Sequence, residues 1–162
     1  MLKEKIVALL RSNARLSAEE IAAGLSVETS QVVSAVNEME KSGVIRGYTA
    51  IVADDAPGSE SRVKALIEVK VTPNRDGGFD RVARRIAKCP EVTDLSLLSG
   101  SYDLLLTVEG ASLQQVANFV SGKLATIEGV ISTATSFQLK KYKESGMIMQ
   151  SDEEYERLKI CF

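Results

Sequence analysis

Histidine is absent from this chain of 162 residues, and cysteine occurs only twice. Histidine is the commonest general base at neutral pH and the commonest metal ligand, so neither role has its usual donor. Cys89 and Cys161 lack the spacing of metal ligands, and we expect reduced thiols, with Cys89 a small buried apolar group. No serine or cysteine has a candidate base nearby, and no glycine-rich phosphate loop follows a strand. The sequence therefore predicts no catalytic residue, no metal site and no resident cofactor.

Long apolar runs and a strong net charge are also missing. No run approaches the roughly 20 residues that cross a bilayer, and the N-terminus, MLKEKIVALLRSN, has charges within its apolar pattern and no signal-peptide cleavage site. We therefore expect a cytoplasmic protein with no membrane partner. The net charge of -2 gives no global attraction to nucleic acid, so any DNA binding needs a local basic surface.

What the sequence does contain begins with two short helical patterns. Apolar residues recur at helical spacing over residues 2–11. Ser17 then starts a second helix, because Glu20 three residues later completes a capping box. Gly24 is expected to end this helix.

A third helix follows, capped by Ser26 or Thr29 and ending near Lys41, where Gly43 stops it. Three short helices with a tight turn before the last one predict a helix-turn-helix. The segment 43–52, GVIRGYTAIV, alternates and is rich in β-branched residues, which predicts a strand or wing. The residues expected to be buried on the third helix are Val32, Val33, Val36 and Met39.

The second half of the chain has a different pattern. Expected strands lie at 63–72, 92–98, 104–109 and 130–142, and expected helices at 79–88 and 112–127, the second capped by Ser112. Their inward residues are predicted to be Phe79, Val82, Ala83 and Ile86 in the first helix, and Leu113, Val116, Val120 and Leu124 in the second. This order, βαββαβ, is the ferredoxin-like arrangement. The predicted fold class is α+β, a winged helix-turn-helix followed by a ferredoxin-like sandwich.

Apolar residues occupy both odd and even positions of the expected strand at 63–72. They are Ala65, Leu66, Ile67, Val69 and Val71. This pattern favours a sheet that is buried on both faces. Helices cover one face, and a second copy of the chain would cover the other, so we expect a homodimer. The alternative is that the helix-turn-helix covers the sheet within one chain.

The exposed side of the third helix is the candidate DNA surface. Its polar residues could contact base edges or phosphates, although Glu28, Glu38 and Glu40 make the helix acidic. The alternative is a three-helix scaffold for protein contacts without DNA binding. The candidate base-reading and phosphate-binding residues are Thr29, Ser30, Gln31, Ser34, Asn37, Lys41 and Arg46, with further cations at Lys3, Lys5, Arg11 and Arg15.

The turn Gly100-Ser101-Tyr102-Asp103 has two interpretations. It could be an ordinary hairpin turn, with Gly100 at a positive φ and the polar side chains bonded locally. It could instead bind a small zwitterion, with backbone N–H groups facing a carboxylate and Asp103 facing an ammonium group. Thr133 and Thr135 on the last strand could add hydroxyls. The spacing alone does not decide between these.

Four segments in order resemble the leucine-responsive/asparagine regulator (Lrp/AsnC) family of bacterial and archaeal transcription factors. They are NARLSAEEIAAGLSV (13–27), EMEKSGVIRGYTAIV (38–52), PEVTDLSLLSGSYDLLLTVEG (90–110) and IEGVISTATSFQLKKYKESG (127–146). The resemblance implies a DNA-binding regulator that dimerises through its sheets, builds tetramers or octamers, and responds to an amino acid bound where dimers meet. It carries the ligand site onto Ser99, Gly100, Ser101, Tyr102, Asp103, Thr133 and Thr135.

The predicted domain plan is a DNA-binding domain at 1–52, a linker at 53–61, where ADDAPGSES is polar, acidic and turn-prone, a ligand-binding and oligomerisation domain at 62–146 and a C-terminal arm at 147–162. Family members usually have cations in the middle of the recognition helix, where this chain has Ser34, Ala35 and Asn37. This departure favours weak single-site binding that is strengthened by multivalency. The enzymatic alternative, a siroheme decarboxylase with a similar layout, depends on histidine.

Overall fold

A computed structural model describes residues 1–53, 62–73 and 78–149. The chain divides into two compact units, Met1–Ile51 and the remainder from Val52 onward. The expected linker lies almost wholly outside the described residues, as do Cys161 and the C-terminal arm beyond residue 149.

The first unit contains three helices: α1 (Leu2–Ser12), α2 (Ala18–Leu25) and α3 (Thr29–Lys41). The predicted capping box of α2 is confirmed, since the Glu20 N–H donates to Ser17 Oγ at 3.2 Å and the Ser17 N–H donates to a Glu20 carboxylate oxygen at 2.7 Å. The core of this unit consists of Ile6, Ile21, Ala22, Val32, Ala35 and Met39.

Three predictions about the helix-turn-helix are wrong. Gly24 lies inside α2, and the helix ends at Leu25, followed by the C-cap Ser26, which adopts a left-handed conformation with φ 54°. Ser26 therefore closes α2, and neither Ser26 nor Thr29 caps α3, whose N-cap is Glu28. On α3, Val33 is 44% exposed and Ala35 is buried. Helical spacing places Ala35 on the same side as Val32 and Met39, while Val33 falls outside that face.

The segment 43–53 forms no strand in the structure: turn and bend residues up to Ile45 are followed by residues without regular secondary structure. It contributes partly buried Ile45 to the core of the first unit and exposes Val44, Tyr48 and Val52. A β-branched sequence favours strands only where a neighbouring strand completes the ladder, and the first unit supplies none among its described residues.

The second unit has the predicted βαββαβ order. Its elements are β1 (Val63–Val71), α4 (Asp80–Ile86), β2 (Val92–Leu97), β3 (Leu104–Gly110), α5 (Leu113–Gly122) and β4 (Val130–Phe137), followed by a short hairpin, β5 (Lys143–Glu144) and β6 (Met147–Ile148). The strand order β2-β3-β1-β4 is antiparallel throughout, as a ferredoxin-like sheet requires. This confirms the predicted fold class.

Several boundaries in this unit differ from those expected. α4 ends at Ile86, and α5 ends at Gly122, after which a 3-10 turn at Leu124–Thr126 leads into β4. The Ser112 cap of α5 is confirmed, because its hydroxyl accepts from the Gln115 N–H at 3.2 Å. Leu113 is 57% exposed, and Phe119 takes the buried position instead. β4 ends at Phe137, five residues short of the prediction.

The helix-covered face of the sheet holds the core, with Ala65, Ile67, Val69 and Val71 of β1 buried beside Leu104, Leu106 and Val108 of β3. Cys89 is half-buried against this core, a little less enclosed than expected.

The opposite face of the sheet is mostly polar. β1 places Lys64, Leu66, Glu68 and Lys70 on it, and only Leu66 is apolar. The prediction of two apolar faces is therefore wrong, because four of the five residues that suggested it lie on the helix-covered face. Any protein surface that packs against this second face must accommodate charged side chains as well as Leu66.

An ion pair connects two loops of this unit. Lys123 Nζ donates to Glu91, whose side chain is only 18% exposed and whose Oε2 has no hydrogen-bond partner among the described residues. The hydrogen bond from Lys123 holds the pKa of Glu91 below its ordinary value of 4.5, and the same bond raises the pKa of Lys123 above 10.5. Folding is thus favoured by Glu91 at pH values above about 4.5 and by Lys123 at values below about 10.5.

We expect Glu91→Gln to lower the melting temperature by a few degrees at neutral pH, because the variant loses the charged acceptor of Lys123. The difference from the unsubstituted chain should shrink as pH falls through the lowered pKa of Glu91, where the carboxylate takes up a proton. Thermal unfolding by circular dichroism across a pH series measures both effects. Glu128→Gln is the control, since its ion pair with Arg81 is exposed on both sides. An equal and pH-independent loss in both variants would contradict the role given to Glu91.

Candidate functional site

Helix α3 presents a polar stripe away from the core of the first unit. Ser30, Ser34, Asn37 and Lys41 follow one another at helical spacing and are all exposed. Buried Val32, Ala35 and Met39 occupy the opposite side of the helix. The stripe thus combines hydroxyl and amide groups, which can contact base edges, with one cation at the C-terminal end.

The two remaining predicted residues of α3 flank this stripe on opposite sides. Thr29 is half-buried. Gln31 is exposed, and its side-chain oxygen accepts from the backbone N–H of Glu28 at 3.3 Å. Gln31 therefore helps to close the first turn of α3, a role that the sequence pattern did not reveal.

Both acidic residues beside the stripe have partners. Glu38 pairs with Lys3 of α1 at 2.7 Å, so Lys3 is not the free phosphate-binding cation that the sequence suggested. Glu40 accepts from the hydroxyl of Tyr48 at 2.9 Å. Desolvation and then this hydrogen bond raise the pKa of Tyr48. Partnered carboxylates repel DNA phosphates less than free ones do. The acidic residues of α3 therefore disfavour DNA binding less than the composition of the helix suggests.

Arg46 is held close to the C-terminal end of α3. Gly43 has φ 72°, and a Cβ atom built on it would lie 3.2 Å from the Arg46 guanidinium carbon. The missing side chain at Gly43 thus leaves room for the Arg46 guanidinium. Gly43 follows Lys41, the last residue of α3, by two positions. Arg11, Arg15 and Lys41 make no ion pair with any residue in the described part of the chain.

Gly43→Ala is expected to destabilise the first unit by about 1–2 kcal/mol, because alanine is strained in the left-handed region. It should also displace Arg46 and weaken DNA binding beyond the loss of stability. Gly47→Ala is the matched control, since Gly47 has no positive φ and no heavy atom within 4 Å of a Cβ. Urea denaturation and a DNA-binding titration measure the two effects. A Gly43→Ala chain as stable as Gly47→Ala would show that the turn tolerates a side chain.

A cavity of about 250 Å³ lies next to the stripe within the first unit. Its wall includes Leu10, Leu16, Val33, Asn37 and Tyr48. Sequence periodicity missed it because Val33 was assigned to the core and Tyr48 to a strand. The cavity explains why an apolar residue at position 33 remains 44% exposed.

The candidate ligand loop, residues 98–103, joins β2 to β3 in the second unit. Its last residue is fixed to β1 and to the start of the loop: Asp103 Oδ2 accepts from the Val71 N–H at 2.9 Å, the Asp103 N–H donates to the Val69 carbonyl at 3.1 Å, and the Asp103 carbonyl accepts from the Leu98 N–H at 2.9 Å. The Val71 N–H lies where the register of β1 with β4 shifts. Asp103 therefore holds the turn, the first of its two proposed roles.

The other residues of this loop are accessible. Ser99, Gly100 and Ser101 are exposed, and Tyr102 is half-buried. Gly100 does not have a positive φ, so the prediction that the turn needs glycine for that reason is wrong. A Cβ atom at Gly100 would meet nothing within 4 Å, which leaves open space for another molecule or another chain.

Thr133 and Thr135 lie on the far side of β1 from this loop. Val69 pairs with Leu104 on one side and with Thr133 on the other, and Thr135 pairs with Ile67. Two strand spacings, roughly 10 Å, therefore separate the end of the loop from Thr133. One chain brings these residues to the same sheet without gathering them into one cleft.

Two absences hold for residues 1–53, 62–73 and 78–149. No group of three or more Asp, Glu, Cys or His residues is arranged to hold a metal ion in those ranges. None of the described helices has the length and apolar character needed to cross a bilayer.

Comparison with known proteins connects both surfaces to one family. Residues 64–148 match the sequence model of the Lrp/AsnC ligand binding domain, and residues 2–46 match that of a winged helix-turn-helix DNA-binding domain. The HTH-type transcriptional regulator YugG of Bacillus subtilis, itself uncharacterized, is 38% identical over 156 residues, which cover 96% of this chain and 94% of YugG.

Solved structures give the same result. A transcriptional regulator of Neisseria meningitidis, crystallised as an L-Met complex, superimposes with a TM-score of 0.68 at 26% identity, covering 88% of this chain and 91% of that one. AsnC of E. coli superimposes with a TM-score of 0.64 at 23% identity over 88% of this chain and 93% of its own, which supports the fold alone.

Proposed function

Because the chain belongs to the Lrp/AsnC family of transcriptional regulators, we propose that it binds specific DNA sites through the α3 stripe and that a small metabolite, an amino acid, controls this binding. DNA-binding regulation follows from the helix-turn-helix and from relatives named as regulators, so the chain is a regulator and not an enzyme. We propose in addition which residues contact DNA, which class of effector binds and how the copies of the chain assemble.

The observation that carries the DNA-binding part is the outward stripe of α3. The second helix of a helix-turn-helix lies in the major groove, and hydroxyl and amide side chains contact base edges there. Ser30, Ser34 and Asn37 supply such groups, while Lys41 and Arg46 would contact phosphates at the C-terminal end of the helix. With so few cations, we expect modest affinity per unit and a strong gain when two units bind one DNA.

The proposed effector is an amino acid that binds the 98–103 loop where two copies meet. The open space over Gly100 and the exposed Ser99 and Ser101 can accommodate a carboxylate near backbone N–H groups. Since β1 separates this loop from Thr133 and Thr135 within one chain, a cleft containing all of them would require a second copy. The Neisseria relative, crystallised with L-Met, supports this effector class.

The proposed assembly is a homodimer that combines into tetramers or octamers in the cytoplasm. Its sheet face would meet a second copy through Leu66, with Glu68 and Lys70 available for ion pairs across the contact. Effector binding at a contact between copies needs only about 1–3 kcal/mol of coupling to change DNA affinity.

The test of this function has two measurements on the full chain. Mobility shifts over the DNA upstream of its own gene, with random DNA as competitor, should show binding that weakens as salt rises. A thermal-shift screen of the standard amino acids should reveal one that raises the melting temperature and alters the DNA titration. Absence of specific DNA binding at low salt would refute the first part. A specific complex insensitive to every amino acid would refute only the second.

A further inference from the structure

The cavity beside the stripe of α3 is lined mainly by apolar side chains. Its volume is about 250 Å³, and eight of its ten lining residues are apolar. The other two, Asn37 and Tyr48, add an amide and a hydroxyl. Sites for small molecules are typically concave and mostly apolar, with a few polar groups that orient the ligand. The cavity has this composition, and none of the DNA or effector contacts proposed above uses its apolar walls.

All three helices of the first unit build this cavity. Leu10 comes from α1, Ile21 from α2 and Val32 from α3, and both Ile21 and Val32 are core residues that are at most 2% exposed. Two other lining residues, Val33 and Tyr48, are 44% and 51% exposed. The cavity therefore has a floor of packed core residues and a rim that is open to solvent. Water over its apolar walls would find few hydrogen-bond partners, which favours an apolar occupant.

The polar groups of the cavity favour a ligand that donates a hydrogen bond. The Tyr48 hydroxyl donates to Glu40 at 2.9 Å, so its oxygen is left to accept. The Asn37 amide makes no side-chain hydrogen bond within the described part of the chain, and its oxygen can accept as well. No lysine or arginine is among the described residues that line the cavity, and the Glu40 carboxylate repels an anion near Tyr48. A neutral ligand is therefore favoured over a carboxylate.

We propose that this cavity binds a small, neutral aromatic molecule with one hydrogen-bond donor, and that this ligand competes with DNA for Asn37. An apolar protein cavity of about 150 Å³ holds benzene, so the larger space here suits two fused rings. A zwitterionic amino acid would lose the hydration of both charged groups without a partner for either. The cavity is thus a second ligand site, different in chemistry from the effector site proposed for the 98–103 loop.

Asn37 connects ligand binding to DNA binding, because it belongs both to the wall of the cavity and to the stripe of α3. An asparagine reads adenine through two hydrogen bonds, one from its amide nitrogen and one to its amide oxygen. A ligand N–H that is bonded to the Asn37 oxygen occupies the group that the second of these bonds needs. The competition rests on the DNA contact proposed above for α3, whereas binding in the cavity does not depend on that contact.

Indole is the probe for this cavity, since it is neutral, has two fused rings and donates one hydrogen bond through its N–H. The chain contains no tryptophan, so indole emission can be followed beside the full protein without a background from the same chromophore. Titrating the full chain into indole should shift the emission to shorter wavelength and saturate at one site per chain, because the rings leave water for apolar surroundings. Indole carboxylate, the anionic counterpart, should bind at least tenfold more weakly.

Val33→Phe fills the cavity and should weaken indole binding at least tenfold, while the exposure of position 33 lets the fold persist. Val44→Phe is the matched control, since Val44 is exposed and does not line the cavity, and it should bind indole like the unsubstituted chain. Equal indole binding by the two variants would place indole elsewhere and overturn the proposal. Indole affinity that falls as the protein concentration rises would show that a second copy fills the cavity, which would overturn it as well.

A DNA titration with and without saturating indole measures the competition. Indole should weaken specific DNA binding about fivefold or more in the unsubstituted chain and in Val44→Phe, and should change it little in Val33→Phe. Unchanged DNA affinity while indole is bound would overturn the competition for Asn37. If the chain binds no specific DNA at all, the function proposed for α3 fails, and the fluorescence titration still decides whether the cavity binds this class of ligand.

Discussion

Replacing Ser34 and Asn37 together by alanine is expected to weaken specific DNA binding about 30-fold or more. Each side chain that contacts a base edge contributes about 1–3 kcal/mol of discrimination, and 1.4 kcal/mol corresponds to tenfold in affinity. Both residues are exposed on α3, and neither makes a side-chain hydrogen bond within the described part of the chain. The free energy of unfolding should therefore change by less than about 0.5 kcal/mol.

The control pair is Asn118→Ala with Ser121→Ala on α5, the same residue types three positions apart on an exposed helix face of the second unit. Competition titrations with specific and random DNA measure the ratio of affinities. The α3 pair should lower affinity for specific DNA much more than affinity for random DNA, and the α5 pair should change neither. Equal losses on both kinds of DNA would show that α3 contacts phosphates alone.

Lys41→Gln tests the complementary role on the same helix. It removes one phosphate-neutralising charge, so it should weaken binding to specific and random DNA alike and reduce the slope of log affinity against log salt by about 1. Comparing the two α3 variants separates the groups that select a sequence from the group that supplies general affinity.

Local signals in the sequence identified the elements of the fold well. Ser17 with Glu20 and Ser112 mark helix starts because a capping side chain needs only its own next turn to form its hydrogen bonds. The βαββαβ order followed from alternating periods of apolar residues. Ser26 shows the limit of this approach, since a non-glycine residue closes α2 in the left-handed region, with the N–H groups of Ser26 and Val27 bonded back to the last turn of the helix, whereas the pattern favoured Gly24.

Two predictions about burial were wrong because burial depends on tertiary structure. Val33 and Ala35 are both apolar and nearly adjacent, so composition could not show which faces the core, and the larger residue was assigned wrongly. The sheet was expected to be apolar on both faces because four apolar residues on one face of β1 outweighed the charged residues alternating with them. In the ligand loop, the acceptor role of Asp103 depends on Val71, which is 32 residues away along the chain.

Asp103 provides the second large effect, because its two proposed roles respond differently to two substitutions. Asp103→Ala removes the acceptor of the partly buried Val71 N–H, and we expect a loss of about 1–3 kcal/mol in the free energy of unfolding of the second unit. Asp103→Asn keeps a side-chain oxygen for that N–H and should retain most of the stability. Chemical denaturation followed by circular dichroism measures both variants.

The effector response then separates holding the turn from binding an ammonium group. If Asp103 faces the amine of the effector, Asp103→Asn loses the charge attraction and should lower effector affinity at least tenfold while the loop remains folded. If Asp103 only holds the turn, Asp103→Asn should respond like the unsubstituted chain and Asp103→Ala should not. Gly100→Leu is the companion variant, since it fills the open space over the loop without affecting the Asp103 hydrogen bonds. A normal effector response in Gly100→Leu would place the ligand elsewhere in the second unit.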